Sequence, residues 1–249
     1  TNTQNMTKVF AVLLLLFFFV NAYCQEQNEV LLNKVLSQLK LNKKDIHEPL
    51  YRSKVLPNKT SNSVLVIPKY NVNETDEQGH DFFVFDAYIV VADNATGKII
   101  SKFVEKEAWT SDAMVLSEVT IDTGLYQLNE KDRAFGVRVS YRGSSNPNPY
   151  SYTDLSLFII QNNLLKRVLN NYQIDRYSGE WDTRCAGEFT QINSVINFDK
   201  NRTNGFKNII LKNTIENTKS YMKNDECEKK VTASKTVKYM KFNGKEYNN

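Results

Sequence analysis

Along most of the chain, apolar residues alternate with polar ones, which is the spacing of β-strands that bury one face. Runs rich in Val, Ile, Phe and Tyr recur after residue 60, and short turn-forming segments separate them. Pro68 is expected to end the first run, and 93–97 is expected to form a hairpin turn. The pattern predicts an all-β fold of repeated antiparallel hairpins. The predicted strands are 64–67, 82–92, 99–104, 115–121, 135–141, 155–160, 164–174, 189–198, 206–211 and 231–242.

A short helix is predicted before these strands. Leucine and valine side chains at four-residue intervals share one face of a helix over 28–40, and we expect this face to pack on the strands. The chain then divides into a helix and linker over 25–60 and a single all-β domain over 61–249. Repeated hairpins are typical both of propeller blades and of sandwich sheets, and the sequence leaves both arrangements open.

The N-terminal segment is predicted to be a targeting signal. Met6 is the expected start of translation, with 1–5 as an upstream extension. An unbroken apolar run at 9–20 is too short to span a bilayer and has the length of a signal-peptide core. We therefore assign 1–24 to an upstream extension and signal peptide, and we expect an exported protein in the periplasm or outside the cell.

The expected cleavage site lies before Gln25, because Ala22 and Cys24 then occupy the −3 and −1 positions. A lipoprotein cut before Cys24 is the alternative and would give a lipid-anchored envelope protein. An uncleaved anchor is a third possibility. No later run approaches membrane length, so we expect no transmembrane segment in the mature chain.

Composition narrows the function classes. The 249 residues include 32 Lys and Arg and 28 Asp and Glu, which is a formal net charge of +4. So mild a charge excludes a strongly basic nucleic-acid binder and an acidic disordered tail. The hydrophobic fraction of 41% is enough for a sizeable core, which argues against a mostly disordered chain. We expect no nucleic-acid partner.

Cleavage before Gln25 leaves Cys185 and Cys227 as the thiols of the mature chain. In an oxidising compartment, two thiols in a small domain most simply form one disulfide. A redox pair or a metal site is the alternative, but the spacing is far from C-x-x-C and no histidine lies near either cysteine. The sequence favours a structural disulfide.

The sequence holds little recognisable catalytic machinery. His47 and His80 are the only histidines, and the motifs of zinc hydrolases, P-loop proteins, dinucleotide-binding proteins and α/β-hydrolases are missing. Glu180 and Asp182 beside Trp181 are similar to the carboxylate pair and stacking ring of a glycosidase. The alternative, which we favour, is a strand-end loop held by the disulfide. We keep the two carboxylates as catalytic candidates and expect no cofactor.

Asp199 and Asn201 place oxygen ligands at alternate positions, as a calcium loop does. Lys200 and Arg202 oppose a divalent cation, and no bidentate Glu follows at the expected distance. An Asn-Gly hairpin turn at 204–205 is the favoured interpretation, and Asp199 and Asn201 are kept only as metal candidates.

Several motifs in the second half of the chain resemble a family of uncharacterised exported bacterial proteins with a GEWDTxCAGEF-type signature. The matching segments are 133–138, 148–150, 179–189, 225–227 and 243–247. The resemblance implies a bacterial envelope address, supports the paired cysteines and implies no catalytic residue. The hairpin repeats are also similar, at the level of fold, to periplasmic β-propeller-like proteins that include inhibitors of wall-degrading enzymes.

These observations favour an exported, non-enzymatic protein of a bacterial envelope that binds another macromolecule. A monomeric periplasmic inhibitor or immunity protein with a protein partner is the concrete form. The alternative is a carbohydrate-binding or carbohydrate-active protein that acts on cell-wall glycan with the carboxylates near Trp181, and a purely structural envelope component is a third class. Because aromatic and Arg side chains dominate interface energetics, the expected binding residues are Arg142, Tyr150, Tyr152, Tyr177 and Trp181.

Overall fold

The computed structural model describes residues 28–248, so the predicted signal segment at 1–24 lies outside the described residues. Helix α1 covers 28–39, and two short 3-10 turns follow at Lys43–Asp45 and Glu48–Leu50. Over 28–248, no helix is long and apolar enough to cross a membrane. The strands are β1 Arg52–Leu56, β2 Lys59–Thr75, β3 Asp81–Asp93, β4 Ile99–Ser111, β5 Met114–Gln127, β6 Arg133–Gly143, β7 Tyr150–Gln161, β8 Leu164–Trp181, β9 Gly187–Thr203, β10 Phe206–Lys223, β11 Glu226–Phe242 and β12 Tyr247–Asn248.

The strands form two antiparallel sheets in which neighbours in sequence are neighbours in space. Sheet 1 has the order β1-β2-β3-β4, and sheet 2 has the order β12-β11-β10-β9-β8-β7-β6-β5. Each sheet is therefore a meander of hairpins, and the predicted all-β fold with one preceding helix is confirmed. The described strands close no ring of blades, so the propeller alternative is not the arrangement formed here.

The middle of sheet 1 is buried on both faces. On β2, Val64 and Val66 join the hydrophobic cluster that sheet 1 forms with β5, β6 and β7, while Leu65 and Ile67 join the cluster formed with α1. Successive side chains of a strand point to opposite faces, so one strand serves both clusters. This explains the unbroken apolar run at 64–67 and gives the molecule a helix–sheet–sheet layering.

Sheet 2 curls so that its last strands return onto its first strands at one end. Ile209 and Leu211 of β10 share a hydrophobic cluster with Leu155 of β7. Across this closure, the Lys207 N–H donates to the Leu128 carbonyl at 2.8 Å. At the opposite end of the sheet, β8, β9, β10 and β11 contribute no residue to the hydrophobic clusters of the described chain.

Much of that opposite end is strand that the sequence pattern did not predict, although 189–195 and 231–235 were predicted. The pattern predicts β10 over 206–211, but the strand continues to Lys223. Residues 212–223 are mostly polar and largely accessible on both faces, so they lack the alternation that marks a half-buried strand. We call this part of sheet 2 the distal end and define it by four segments: 175–181, 187–195, 212–223 and 226–235.

The expectation that Pro68 ends a strand is wrong, because β2 continues through it to Thr75. Pro68 pairs with Ala87 of β3 on one side. On the other side, β1 pairs with β2 only as far as Val66, and at Pro68 the pairing uses its carbonyl, which accepts from the His47 N–H at 2.9 Å. The segment assigned to a linker within 25–60 likewise contributes β1 and the start of β2.

The predicted disulfide is confirmed between Cys185 and Cys227, whose Cα atoms are 5.7 Å apart. Cys185 lies in the turn between β8 and β9, and Cys227 lies near the start of β11. Since β10 lies between β9 and β11 in the sheet, the bond ties two hairpins together rather than two adjacent strands. It therefore fastens the distal end, where hydrophobic burial is lacking.

Removing the disulfide should loosen the distal end before the rest of the molecule. The double variant Cys185→Ser, Cys227→Ser is expected to lose about 4 kcal/mol of unfolding free energy, because the bond closes a long loop in the unfolded chain. Urea unfolding measures this loss. Hydrogen exchange should accelerate first at 182–186 and 224–229, whereas an equal acceleration in all strands would contradict a local role.

Candidate binding groove

A groove of about 1260 Å³ opens at the distal end of sheet 2. Its lining comes from strands β5 to β11 and from the loop between β6 and β7. Four of the five predicted binding residues line it, namely Arg142, Tyr150, Tyr177 and Trp181. The disulfide lies in the same lining. These residues are scattered over the sequence, and the curl of sheet 2 brings them to one surface.

Two glycine–aromatic pairs build one wall of the groove. In the pairing of β8 with β9, Gly179 lies opposite Phe189, and Trp181 lies opposite Gly187. A Cβ atom on Gly179 would overlap the Phe189 ring, and a Cβ atom on Gly187 would overlap Trp181. Gly179 therefore leaves room for the Phe189 ring, and Gly187 leaves room for the Cβ atom and backbone of Trp181. The segments Gly-Glu-Trp and Gly-Glu-Phe are the two halves of one antiparallel motif.

Three rings form this aromatic wall, with Phe189 at its centre. Tyr177 stacks nearly parallel to Phe189, with ring centroids 6.1 Å apart and planes inclined by 6°. Trp181 lies on the other side, with centroids 6.2 Å apart and planes inclined by 57°. Rings arranged in this way offer apolar surface and a polar edge to a ligand.

The loop at 144–149 is fixed to β8. The carbonyls of Pro147 and Pro149 accept hydrogen bonds from backbone N–H groups of β8, both at 3.0 Å. The Trp181 indole Nε1 donates to the Asn146 carbonyl at 2.6 Å. Proline has no backbone N–H but keeps its carbonyl. The two prolines therefore accept hydrogen bonds from β8 and donate none in return. The indole ring is oriented before any ligand arrives.

The groove carries an excess of positive charge. Arg142, Arg184 and Lys229 line it, and Glu216 is the one carboxylate among the described lining residues. None of these four groups forms an ion pair with another residue of the described chain. Guanidinium groups beside aromatic rings suit a ligand that combines apolar surface with negative charge.

Tyr152, the fifth predicted binding residue, lies outside the groove lining. Its ring stacks on Tyr141, with centroids 4.9 Å apart and planes inclined by 18°. Both rings belong to the packing between the two sheets. Burial raises the pKa of the Tyr152 phenol. Tyr150 and Tyr152 lie on the same face of β7, with ring centroids 5.8 Å apart. Tyr150 lines the groove, whereas Tyr152 lies one step further along the strand, against the hydrophobic cluster between the sheets.

The two catalytic candidates do not line the groove. Glu180 follows a groove-facing position of β8 by one residue and lies opposite Glu188, so alternation directs it to the other face. The Asp182 Oδ1 accepts hydrogen bonds from the N–H groups of Arg184 and Cys185, both at 2.8 Å. These bonds lower the pKa of the Asp182 carboxyl. Asp182 therefore shapes the turn that carries the disulfide.

The two metal candidates lie on β9, away from the groove. The Asn201 N–H donates to the Asp199 Oδ1 at 3.3 Å. The turn that follows uses Asn204 and Gly205 at positive φ, as the sequence indicated. Within 28–248, no group of three or more His, Cys, Asp or Glu side chains could hold a metal ion.

Sequence reasoning missed Phe189 and three of the charged groups in the groove. Phe189 could have been found by noticing that Gly-Glu-Phe repeats Gly-Glu-Trp at a distance suited to a tight antiparallel pair. Arg184, Glu216 and Lys229 have no such signal, because isolated charges are common on exposed strands and turns.

No family model, curated protein or solved structure matches this chain. The resemblance to exported bacterial proteins therefore stays a prediction. The functional argument depends on the groove itself.

Substitution of the two glycines should have unequal effects. Gly187→Ala is expected to lose about 2 kcal/mol of unfolding free energy, because its Cβ would press on the backbone of β8 as well as on Trp181. Gly179→Ala should lose less, because the atoms it meets belong to the Phe189 side chain, which can rotate. Thermal unfolding measures both. Equal losses of unfolding free energy in the two variants would contradict this prediction, because they would mean that the Phe189 ring cannot rotate away from the added Cβ.

Asp154, which neighbours the Tyr141–Tyr152 stack, should make stability depend on pH. Burial raises the pKa of its carboxyl to about 6 from an ordinary value of 3.8. A raised folded-state pKa means that the folded protein gains stability as the pH falls through 6 towards 4. Asp154→Asn should therefore stabilise the protein at pH 7.5 by about 1 kcal/mol, a value reduced for the partial exposure of the group.

The gain from Asp154→Asn should shrink steadily below pH 6 and vanish near pH 3, where the carboxyl is protonated in both states. Denaturant unfolding at several pH values measures it. Glu118→Gln on β5 is the control, since Glu118 is exposed. A gain that does not change with pH would contradict the assignment to Asp154 ionisation.

Proposed function

We propose that this chain is an exported, non-enzymatic protein that binds another macromolecule through the groove at the distal end of sheet 2. The observation that carries the proposal is the convergence of Arg142, Tyr150, Tyr177 and Trp181 on one surface. Aromatic and Arg side chains contribute most to interface energies when they cluster. The glycine–aromatic pairs and the proline loop fix the rings in advance, which lowers the ordering entropy lost on binding.

A protein partner is the leading assignment, in the manner of a periplasmic inhibitor or immunity protein. The groove lining extends over seven strands, a contour of about 29 Å at the usual strand spacing, which suits an inserted loop or segment of a macromolecule. A partner segment with an acidic residue beside an apolar one would meet Arg142 and the Tyr177 ring together. Export is supported by the predicted signal segment and by the disulfide, since such bonds persist in oxidising compartments.

A cell-wall glycan is the second candidate, because neutral polar side chains surround the aromatic wall. Sugars present C–H faces that pack on aromatic rings and hydroxyl groups that pair with hydroxyl and amide side chains. This candidate is a binding function, since Glu180 and Asp182 lie outside the groove lining. The neutral polar residues of the lining include Ser117, Ser151, Gln191, Thr218 and Ser220.

Trp181→Ala should weaken partner binding at least tenfold while the protein stays folded, because Trp181 belongs to none of the hydrophobic clusters. The measurement is capture from envelope extract of the native host by the mature chain, residues 25–249, followed by titration of the retained protein. Phe82→Ala is the matched control, since Phe82 is an exposed aromatic residue outside the groove. Arg142→Ala tests the same surface at an exposed position.

Loss of a captured protein with both groove variants, but not with Phe82→Ala, would support the protein-partner assignment. If no protein is retained but purified peptidoglycan binds and Trp181→Ala abolishes that binding, the glycan assignment replaces it. Binding that none of the variants changes would overturn the role of the groove.

A further inference from the structure

β11 is an edge strand along most of its length. It pairs with β10 from Glu226 to Met240. On its other side, β12 covers only Lys241 and Phe242. Within the described chain, no strand pairs with the outer side of 226–240. The backbone N–H and C=O groups that point outward along this stretch are therefore available to another chain.

Most of the usual protections of an edge strand are missing from β11. Natural edges are kept short, interrupted by bulges or proline, or covered by another element. β11 is 17 residues long, pairs with β10 without a register shift and contains neither Pro nor Gly. Charged side chains are the remaining protection against pairing with another strand, and most of them are positive. The strand contains Glu226 and Glu228 against Lys229, Lys230, Lys235, Lys238 and Lys241.

The side chains along this edge also suit an added strand. Val231, Val237 and Tyr239 are each more than half exposed, at 54%, 55% and 55%. Their spacing puts all three on the same face of β11. A strand laid along the edge would cover these apolar side chains and bring its own charges next to the lysines.

We propose that β11 is a second interaction surface, which binds an extended acidic segment of a partner protein by strand addition. Backbone pairing would supply the affinity, and the lysines would select acidic residues at the facing positions. A second copy of this chain is disfavoured, because each copy would bring four Lys and two Glu to the shared edge at 226–240. The disulfide at Cys227 holds the start of the strand in place for pairing.

The test uses the mature oxidised chain and a synthetic peptide. The peptide carries Glu opposite Lys230, Lys235 and Lys238, which do not line the groove, with Val or Thr at its other positions. We expect it to bind and to slow hydrogen exchange across 227–239. The same peptide with Lys in place of Glu should not bind. Failure of the acidic peptide to slow exchange in 227–239 would overturn the proposal.

Two N-methylated versions of the acidic peptide separate backbone pairing from simple charge attraction. Each carries methyl groups on alternate residues, so that one version blocks the pairing edge and the other blocks the outer edge. Strand addition predicts that one version loses binding and the other retains it. Equal binding of both versions would show attraction without pairing and would overturn the proposal.

Charge variants locate the binding site on β11. Lys230→Glu with Lys235→Glu should weaken peptide binding about tenfold. Both lysines are exposed and neither lines the groove. The matched control is Lys59→Glu with Lys98→Glu, which makes the same change in net charge at exposed positions on and beside sheet 1. Equal weakening by the two pairs would overturn the assignment to β11.

Trp181→Ala separates this inference from the proposed function of the groove. We expect peptide binding to be unchanged by Trp181→Ala. If Trp181→Ala abolishes it and the lysine variants do not, the peptide occupies the groove and the edge assignment fails while the groove proposal stands. Protection of 227–239 that rises with protein concentration in the absence of peptide would show that a second copy covers the edge, which would also overturn the proposal.

Discussion

The distal end of sheet 2 must keep its shape without a hydrophobic core, and both the groove and the open edge of β11 depend on how it does so. Backbone hydrogen bonds hold the four strands in register, but each bond contributes little net stability because water competes for the same groups. Three local devices compensate. The disulfide joins two hairpins, the glycine–aromatic pairs lock β8 to β9, and the proline loop continues the pairing beyond β7.

The groove and the open edge of β11 have the same structural cause. Strands β8 to β11 continue past the point where the curl of sheet 2 buries their side chains. A strand that leaves the core exposes a face to solvent, and the last strand also exposes an edge. The face becomes the floor and wall of the groove, and the edge is the outer side of β11. Sheet 1 and α1 take no part in either surface, and they stabilise the platform from which the strands project.

Sequence reasoning succeeded where burial produces a pattern and failed where it does not. The run at 64–67 and the leucines of α1 mark buried surfaces, so the helix and the strand cores were predicted correctly. The strand ends were not, because 212–223 is mostly polar and shows no clear alternation of apolar and polar residues. Tyr152 was grouped with Tyr150 by residue type, and their rings are neighbours on one face of β7. Only Tyr150 lines the groove, because Tyr152 packs against the cluster between the two sheets. The groove itself depends on the curl of sheet 2, which no local pattern encodes.

Stabilisation of the fold does not account for the distal end. Each ordered residue loses about 1–2 kcal/mol of backbone conformational entropy, and strands without buried side chains recover little of it. A chain selected only for stability would end β9, β10 and β11 at the margin of the hydrophobic cluster near Ile209. Instead the strands continue, carry two glycines that leave room for Phe189 and Trp181, and are fastened by the disulfide between Cys185 and Cys227. Segments that cost stability tend to occur at functional sites. The exposed strand ends of the distal end are such segments, and they form the groove.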